Sequence, residues 1–442
     1  MKKIININKV IKPFNRKINI SGDKSISIRF VIMASMAKGK SIAKNLLRSE
    51  DVLNTIKCIK SLGIKIKFRK NYCEVRGNGL DGYKYKKGLI LNTGNSGTTA
   101  RLLSACLINS KNTIKVTGDE SLKKRDMKRI IKPLQKFGAT FKKNNGKLPL
   151  FIKGSNFLKP INYTELRGSA QCKSTVMLAA LLTPGTTKLK CLPSRNHTEL
   201  LFKYLKLPIK IRRRKKLDII SINGKKKINP LNYNIPADIS SCAFFIVLTA
   251  LTKNSNLTVR NVNINPTRTG FLKILKMMNV RVSLKNKKDY KGEVIADINV
   301  KSAKNIKAIN CPTEFNSASI DEFLLIFLIA AKADGISYFR KLSELNQKES
   351  PRLIWGAKIL NMMGVKTVMT KDSIKIYGKQ DLIIRKPIHI KGFLKDHGVF
   401  MTSVVAALTF GGPEWKIFDK DSIKTSFPSF LEKIKSLGVK LK

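Results

Sequence analysis

No apolar run in this sequence is long enough to span a bilayer: the longest, Phe323 to Ala331 (FLLIFLIAA), falls well short of the ~20 residues a spanning helix needs. The opening residues, MKKIININKV, do not read as a signal peptide, so the expectation is a soluble, cytoplasmic protein. Seven cysteines at 58, 73, 106, 172, 191, 242 and 311 include no CxxC pair, and several lie in apolar helix patterns. That spacing argues against a disulfide framework or a metal cluster and for buried free thiols. No metal or cofactor is expected. Acidic residues are scarce, 28 against 87 Lys and Arg, giving a net charge of +59. Such an excess raises nucleic-acid binding first. There is, however, no basic stripe with interleaved aromatics, no zinc-finger spacing and no RNP-like strand. Lysines are spread evenly through the chain among Ile and Asn, the residues that A/T-rich codons favour. Most of the charge therefore reads as solvated surface, with loose nucleic-acid association at low salt.

What the sequence does hold is a repeat. An amphipathic run ends at Gly, Asn or Pro and passes at once into a β-alternating stretch: SLGIKIKF at Gly63, KFGATFKK at Gly138, KLPIKIRR at Pro208, MMNVRVSL at Asn279, MMGVKTVM at Gly364 and SLGVKLK at Gly438. Gly and Asn cap helices in the left-handed conformation, so each phrase reads as helix, cap, strand. A second series, of strongly apolar helices starting near Ser25, Gly97, Ser169, Ser240, Asp321 and Asp396, interleaves with the first at a similar period. Each unit thus holds one buried helix, one amphipathic helix and several short strands. The chain length and 43% hydrophobic content suit two compact α/β domains of three units each.

The helix mouths collect the unusual residues. The buried series has Lys24, Ser25 and Arg29; Asn95, Ser96, Gly97, Thr98 and Arg101; Ser169, Ala170, Gln171 and Lys173; Asp238 and Ser240; Asp321 and Glu322; Asp396 and His397. The amphipathic series adds Glu50 and Asp51, Arg125, Arg195 and His197, Arg268, and Lys348, Glu349 and Arg352. Ser, Thr, Asn and Asp are ordinary N-caps. Arg and Lys are disfavoured at a helix N-terminus, where the macrodipole is already positive. Hydroxyls, backbone N–H groups and cations together there make a site for anions such as phosphates and carboxylates.

GDKSISIR, LNTGNSGTTAR, GDESLKKRDM, GSAQCKS, SRNHTE, NPTRTG, ASIDEF, QKESPRL, KDHGVFM and TSFP, in this order over nearly the whole chain, resemble the 5-enolpyruvylshikimate-3-phosphate (EPSP) synthase family, closest to its GDKSIS and NPTRTG branch. The resemblance implies an α/β (α+β) fold of two domains, each of three βαβαββ units, forming an inside-out α/β barrel of the enolpyruvyl transferase type. The domains would be residues 21–235, and 1–20 plus 236–442, with the active site in the cleft between them. The implied reaction joins phosphoenolpyruvate to the 5-hydroxyl of shikimate 3-phosphate and releases phosphate, in a monomer without cofactor.

Site residues carried over by the resemblance are Asp321 as base, with Glu349 and Lys24 moving the second proton. Shikimate 3-phosphate would be held by Lys24, Ser25, Arg29, Ser169, Ala170, Gln171, Arg195, Asp321 and Lys348. Phosphoenolpyruvate would be held by Lys24, Asn95, Gly97, Arg125, Gln171 and Arg352. Several positions depart from the family's pattern: Ile28 stands for a polar or His residue, Asp126 for a Pro, Ala237 for a Gly and Pro351 for an Asp, and the family's Asp-His-Arg is here Asp396-His397-Gly398, so a cation for phosphoenolpyruvate is missing. The alternatives are the sister transferase acting on UDP-N-acetylglucosamine, whose reactive loop Cys has no counterpart between Ser110 and Lys124, and a decayed scaffold that binds nucleic acid through its charge.

Overall fold

A computed structural model describes residues 4–69, 72–142 and 145–441. Its contacts divide the chain into two units: Gly22–Ile235 with Tyr290–Glu293, and Met1–Ser21 with Pro236–Asp289 and Val294–Lys442. In the first unit, three buried helices form the interior. Lys24–Met36 packs on Gly97–Ala105, which packs on Ala170–Leu182. These helices are apolar nearly all round, so none presents a solvated face.

Three four-stranded sheets complete the unit, each with one parallel and two antiparallel pairings. Alternation is clean where a strand has one face on the core, as in Thr186–Cys191 with Thr187, Leu189 and Cys191 inward. Asn232–Asn234, from the end of the third repeat, pairs in parallel with Lys38–Lys44 of the first and so ties the unit's ends together.

The second unit also has three inner helices and three sheets, but the sheets have four, three and three strands among the described residues. Ile239–Leu251, Phe323–Ala331 and His397–Phe410 pack against one another in its interior. Its sheets draw on the chain's N-terminal strands: Asn15–Ile18 pairs in parallel with Asn256–Asn263, and Ile5–Ile7 antiparallel with Trp415–Ile417.

Side chains cap the buried helices. Asp23, Ser96, Ser169, Asp238 and Asp396 accept from the backbone N–H groups of Ile26, Thr99, Cys172, Ser240 and Gly398. Each cap places the mouth residues that follow it at a positive helix end. The C-terminal caps of the amphipathic helices fall in the left-handed region at Gly63, Gly138, Asn279, Gly364 and Gly438. In the third repeat the sequence pattern points to Pro208, and the structure differs. Lys206 carries the positive φ of 53° there, and Leu207 N–H closes the turn on Phe202 O at 2.9 Å. Proline holds φ negative and cannot take that conformation, so the turn falls two residues earlier.

Candidate active site

In the Gly22–Ile235 unit the mouth residues form two connected groups. The first centres on Arg29, which is only 5% exposed. Its Nε donates to Thr198 Oγ1 (2.8 Å), Nη2 to Ser174 Oγ (3.0 Å) and Nη1 to Ser25 O (3.1 Å). Thr198 and Ser174 hydroxyls also meet at 2.7 Å. A guanidinium has five N–H donors in a fixed fork, so three fixed contacts orient the whole group. Lys24 Nζ lies 3.3 Å from Asp51 Oδ2, and the Lys24 and Ser25 side chains are half-buried. Ser169 caps its helix and donates its N–H to Glu165 Oε2 at 3.1 Å, while Ala170 and Arg195 stand half-exposed.

The second group surrounds Gly97. Gln171 Oε1 accepts from Arg101 Nη1 and its Nε2 donates to Thr98 Oγ1 at 2.9 Å. Arg125 Nη2 donates to Asn95 Oδ1 (3.1 Å), and Asn95 Nδ2 to Asp119 Oδ2 (2.7 Å). A Cβ at Gly97 would lie 3.0 Å from Arg101 Nη1 and 3.4 Å from Arg125 Nη1, so the glycine keeps a gap between two guanidinium groups. Desolvation pulls the Arg101 pKa down to about 10, with Arg129 and Arg125 adding to the fall. Like charge has been gathered here against its own repulsion.

Sequence reasoning placed Lys173 and His197 at helix mouths but did not foresee their buried partners. Lys173, Thr198 and Glu199 are fully buried, and Lys173 Nζ sits 2.6 Å from Glu199 Oε1. His197 Nδ1 meets Glu293 Oε1 at 2.6 Å, across 96 residues of sequence. SRNHTE held half of that signal; nothing in the sequence around Glu293 marks its partner.

In the other unit the expected residues converge on Arg352. Its Nε and Nη2 bind Asp396 Oδ2 and Oδ1 at 2.9 and 3.0 Å in a two-pronged pair, and Nη2 also reaches Glu349 Oε2 at 2.9 Å. Asp321 Oδ1 accepts from Lys348 Nζ at 2.9 Å and lies 3.8 Å from Arg352 Nη1. Burial works against the Arg352 charge, yet Asp396, Glu349 and Asp321 more than offset it and hold its pKa above the ordinary arginine value. Asp396 further accepts from Ser350 N and Oγ and from Gly398 N. Asp321 is not the helix cap that its position suggests; the helix Phe323–Ala331 begins after Glu322, whose carboxylate takes Ser240 Oγ.

Gly398 is more than a deleted cation. A Cβ there would stand 2.9 Å from Arg352 Cζ, 3.0 Å from Arg352 Nη2 and 3.1 Å from Asp396 Oδ1. The Arg352–Asp396 pair fills the space into which a side chain at 398 would start.

The sequence model of the family described as EPSP synthase (3-phosphoshikimate 1-carboxyvinyltransferase) matches residues 9–434. The chain belongs to the EPSP synthase family. A 3-phosphoshikimate 1-carboxyvinyltransferase of Ruthia magnifica subsp. Calyptogena magnifica is 39% identical over 436 residues, covering 98% of each chain. The solved EPSP synthase of Acinetobacter baumannii superposes with a TM-score of 0.86 at 34% identity, covering 99% of each chain. The enolpyruvyl transferase NikO of Streptomyces tendae, at 14% identity and a TM-score of 0.80 over 100% of this chain and 99% of its own, shares the fold. The EPSP synthase match does not favour the UDP-N-acetylglucosamine or nucleic-acid alternatives. Among the described residues, no helix is long and apolar enough to cross a membrane, and no group of His, Cys, Asp and Glu could hold a metal ion.

Proposed function

We propose that the residues described above carry out the reaction of the family in this chain: transfer of the enolpyruvyl group of phosphoenolpyruvate to the 5-hydroxyl of shikimate 3-phosphate, with release of phosphate. The observation that carries the assignment is Asp321, a quarter-exposed carboxylate fixed by Lys348 Nζ at 2.9 Å. It accepts the proton of the 5-hydroxyl as that oxygen bonds to the enol carbon. The Lys24 ammonium delivers a proton to the methylene carbon, giving a tetrahedral adduct with a methyl group. In the second step the carbon–phosphate oxygen bond breaks, phosphate leaves, and Glu349 takes a methyl proton to restore the double bond. Arg352 orients Glu349 for this step through the 2.9 Å contact.

Binding falls to the cationic mouths. Ser25, Arg29, Ser169, Ala170 through its backbone, Gln171, Arg195 and Lys348 hold shikimate 3-phosphate; Asn95, Gly97, Arg125, Gln171 and Arg352 hold phosphoenolpyruvate. Both ligands are anions, which helix N-termini and guanidinium groups favour together. The chain acts as a cytoplasmic monomer in the formation of aromatic amino acids. Phosphate release from the purified chain, with shikimate 3-phosphate or UDP-N-acetylglucosamine as acceptor, tests the assignment. Release with the first acceptor alone is expected, and release with the second alone would overturn it.

A further inference from the structure

Three consecutive residues, His197, Thr198 and Glu199, open the helix His197–Tyr204, and all three are 2–3% exposed. Buried polar side chains in a row are costly unless each is bonded. Each of these is bonded to a different piece of the unit. His197 Nδ1 takes Glu293 Oε1 at 2.6 Å. Thr198 Oγ1 takes Arg29 Nε at 2.8 Å and Ser174 Oγ at 2.7 Å. Glu199 Oε1 takes Lys173 Nζ at 2.6 Å, and that ammonium also reaches Ser194 O, one residue before Arg195, at 3.2 Å.

Glu293 stands in the short segment Tyr290–Glu293, which clusters with this unit while the chain on either side of it does not. Its neighbours fix that segment independently of the histidine. Tyr290 packs edge-on against Tyr233 with centroids 5.6 Å apart, and its hydroxyl accepts Asn234 N–H at 2.9 Å. Lys291 Nζ lies 5.7–5.9 Å from the ring centroids of Tyr204, Tyr233 and Tyr290. Glu293 is therefore a firm post, 3% exposed, set against the first residue of the helix.

We infer that Glu293 is a positioning residue for the shikimate 3-phosphate site, acting through His197 and Thr198 to fix the Arg29 guanidinium. This rests on the reading of Arg29 and Arg195 as phosphate-site cations. The chain of contact is short: Glu293 holds His197, the helix carries Thr198 with it, and Thr198 takes Nε, one of the three donors whose contacts orient the guanidinium, and also meets Ser174, which takes a second. Of the residues proposed for phosphoenolpyruvate, Asn95, Gly97 and Arg125 lie on elements other than those of this link.

The test compares wild type with Glu293→Leu, Thr198→Val and Thr198→Ser, using calorimetric binding of shikimate 3-phosphate, the KM for phosphoenolpyruvate at saturating acceptor, and urea unfolding. Losing a hydrogen bond to a charged group corresponds to a loss of affinity of roughly tenfold or more. Glu293→Leu and Thr198→Val are expected to weaken shikimate 3-phosphate binding to about that extent and to change the KM for phosphoenolpyruvate by less than about threefold. Thr198→Ser, which keeps the hydroxyl, is expected to bind as wild type does. If Glu293→Leu does not unfold cooperatively, His197→Phe, which removes the same contact from its other side, is read in its place. A wild-type chain that fails to bind shikimate 3-phosphate overturns the functional reading. Wild-type binding that is matched by Glu293→Leu or Thr198→Val, or weakened equally for both substrates, overturns the positioning role alone.

Discussion

Arg101 and Arg352 both reach a helix mouth, and their surroundings shift them in opposite directions. Arg101 bonds a glutamine side chain and the Asp126 carbonyl, and desolvation lowers its pKa to about 10. Arg352 lies among Asp396, Glu349 and Asp321, which raise its pKa against the effect of burial. The contrast holds for some of their neighbours, although Lys24 meets Asp51 and Lys173 meets Glu199 in the Gly22–Ile235 unit. In the Gly22–Ile235 unit, Arg29 and Arg125 meet hydroxyls, a carbonyl and an amide. In the other unit, Arg268 reaches Asp238 and Lys348 reaches Asp321. Arg352 and the carboxylates around it hold one another in place, whereas Arg101 donates hydrogen bonds to an amide and a carbonyl. On the proposed assignments most anion contacts lie in the first unit, with Lys24 also a proton donor there, and the two proton-accepting carboxylates, Asp321 and Glu349, lie in the second.

The sharpest way to break this division is to remove the base. Asp321→Asn is expected to lower turnover by about 10²- to 10⁴-fold, the usual contribution of a general base, with urea unfolding close to wild type. Turnover within about threefold of wild type, read by phosphate release, would remove Asp321 from that role.

Next comes a stability comparison between the two arginines. Arg352→Met leaves Asp396 buried with its charge uncompensated and is expected to cost about 3–5 kcal/mol. Arg101→Met removes a desolvated cation among neutral partners and is expected to change stability by less than about 1.5 kcal/mol. Equal losses in urea unfolding would contradict the electrostatic contrast.

The two glycines give a smaller test. In Gly398→Ala the new Cβ meets Arg352 Cζ at 2.9 Å, and in Gly97→Ala it meets Arg101 Nη1, the end of a longer flexible side chain, at 3.0 Å. Gly398→Ala should therefore lower kcat by disturbing the Arg352–Asp396 pair, and Gly97→Ala should mainly raise the KM for phosphoenolpyruvate, each by roughly 3- to 30-fold, about 0.7–2 kcal/mol. Steady-state kinetics with varied phosphoenolpyruvate separates the two; identical patterns would count against the assignment.

The smallest effect concerns thiols. Burial raises Cys58, Cys73, Cys106 and Cys191 to about 12 and Cys311 to about 11, from an ordinary 9.0. Between pH 9 and about 12 the unfolded chain loses these protons while the folded chain keeps them, so their stabilising contribution, complete below pH 9, is lost as pH rises. Cys58, Cys73, Cys106, Cys172 and Cys191 belong to the Gly22–Ile235 unit, and Cys242 and Cys311 to the other. Alkaline loss should therefore be larger in the first unit. Site-resolved thiol labelling at pH 9 should find every cysteine slow; rapid labelling of Cys58 or Cys106 in native protein would contradict this.

Much of the architecture was legible because it is periodic. Helices recurring at a similar period announce the buried helices of the two units, and the cations at helix mouths lead to the expectation of an anion site. The sequence was silent where a partner is distant and aperiodic. No pattern links Arg352 to Asp396 or His197 to Glu293, since these pairs form only once the repeats pack. The missing side chain at Gly398 reads in sequence as a lost cation, but in space it is room for the Arg352–Asp396 pair. Pro208 misled for a local reason: it occupies the place of the capping glycine in the written pattern, but its ring excludes the left-handed turn that Lys206 makes.

The most direct test of the division between recognition and chemistry is equilibrium binding of shikimate 3-phosphate to Asp321→Asn, measured by calorimetry beside Arg195→Gln. The expected result is a dissociation constant within about tenfold of wild type for Asp321→Asn, although its turnover has collapsed, and a loss of more than about tenfold for Arg195→Gln. Binding abolished in Asp321→Asn and retained in Arg195→Gln would contradict the division, placing recognition on the carboxylate unit instead.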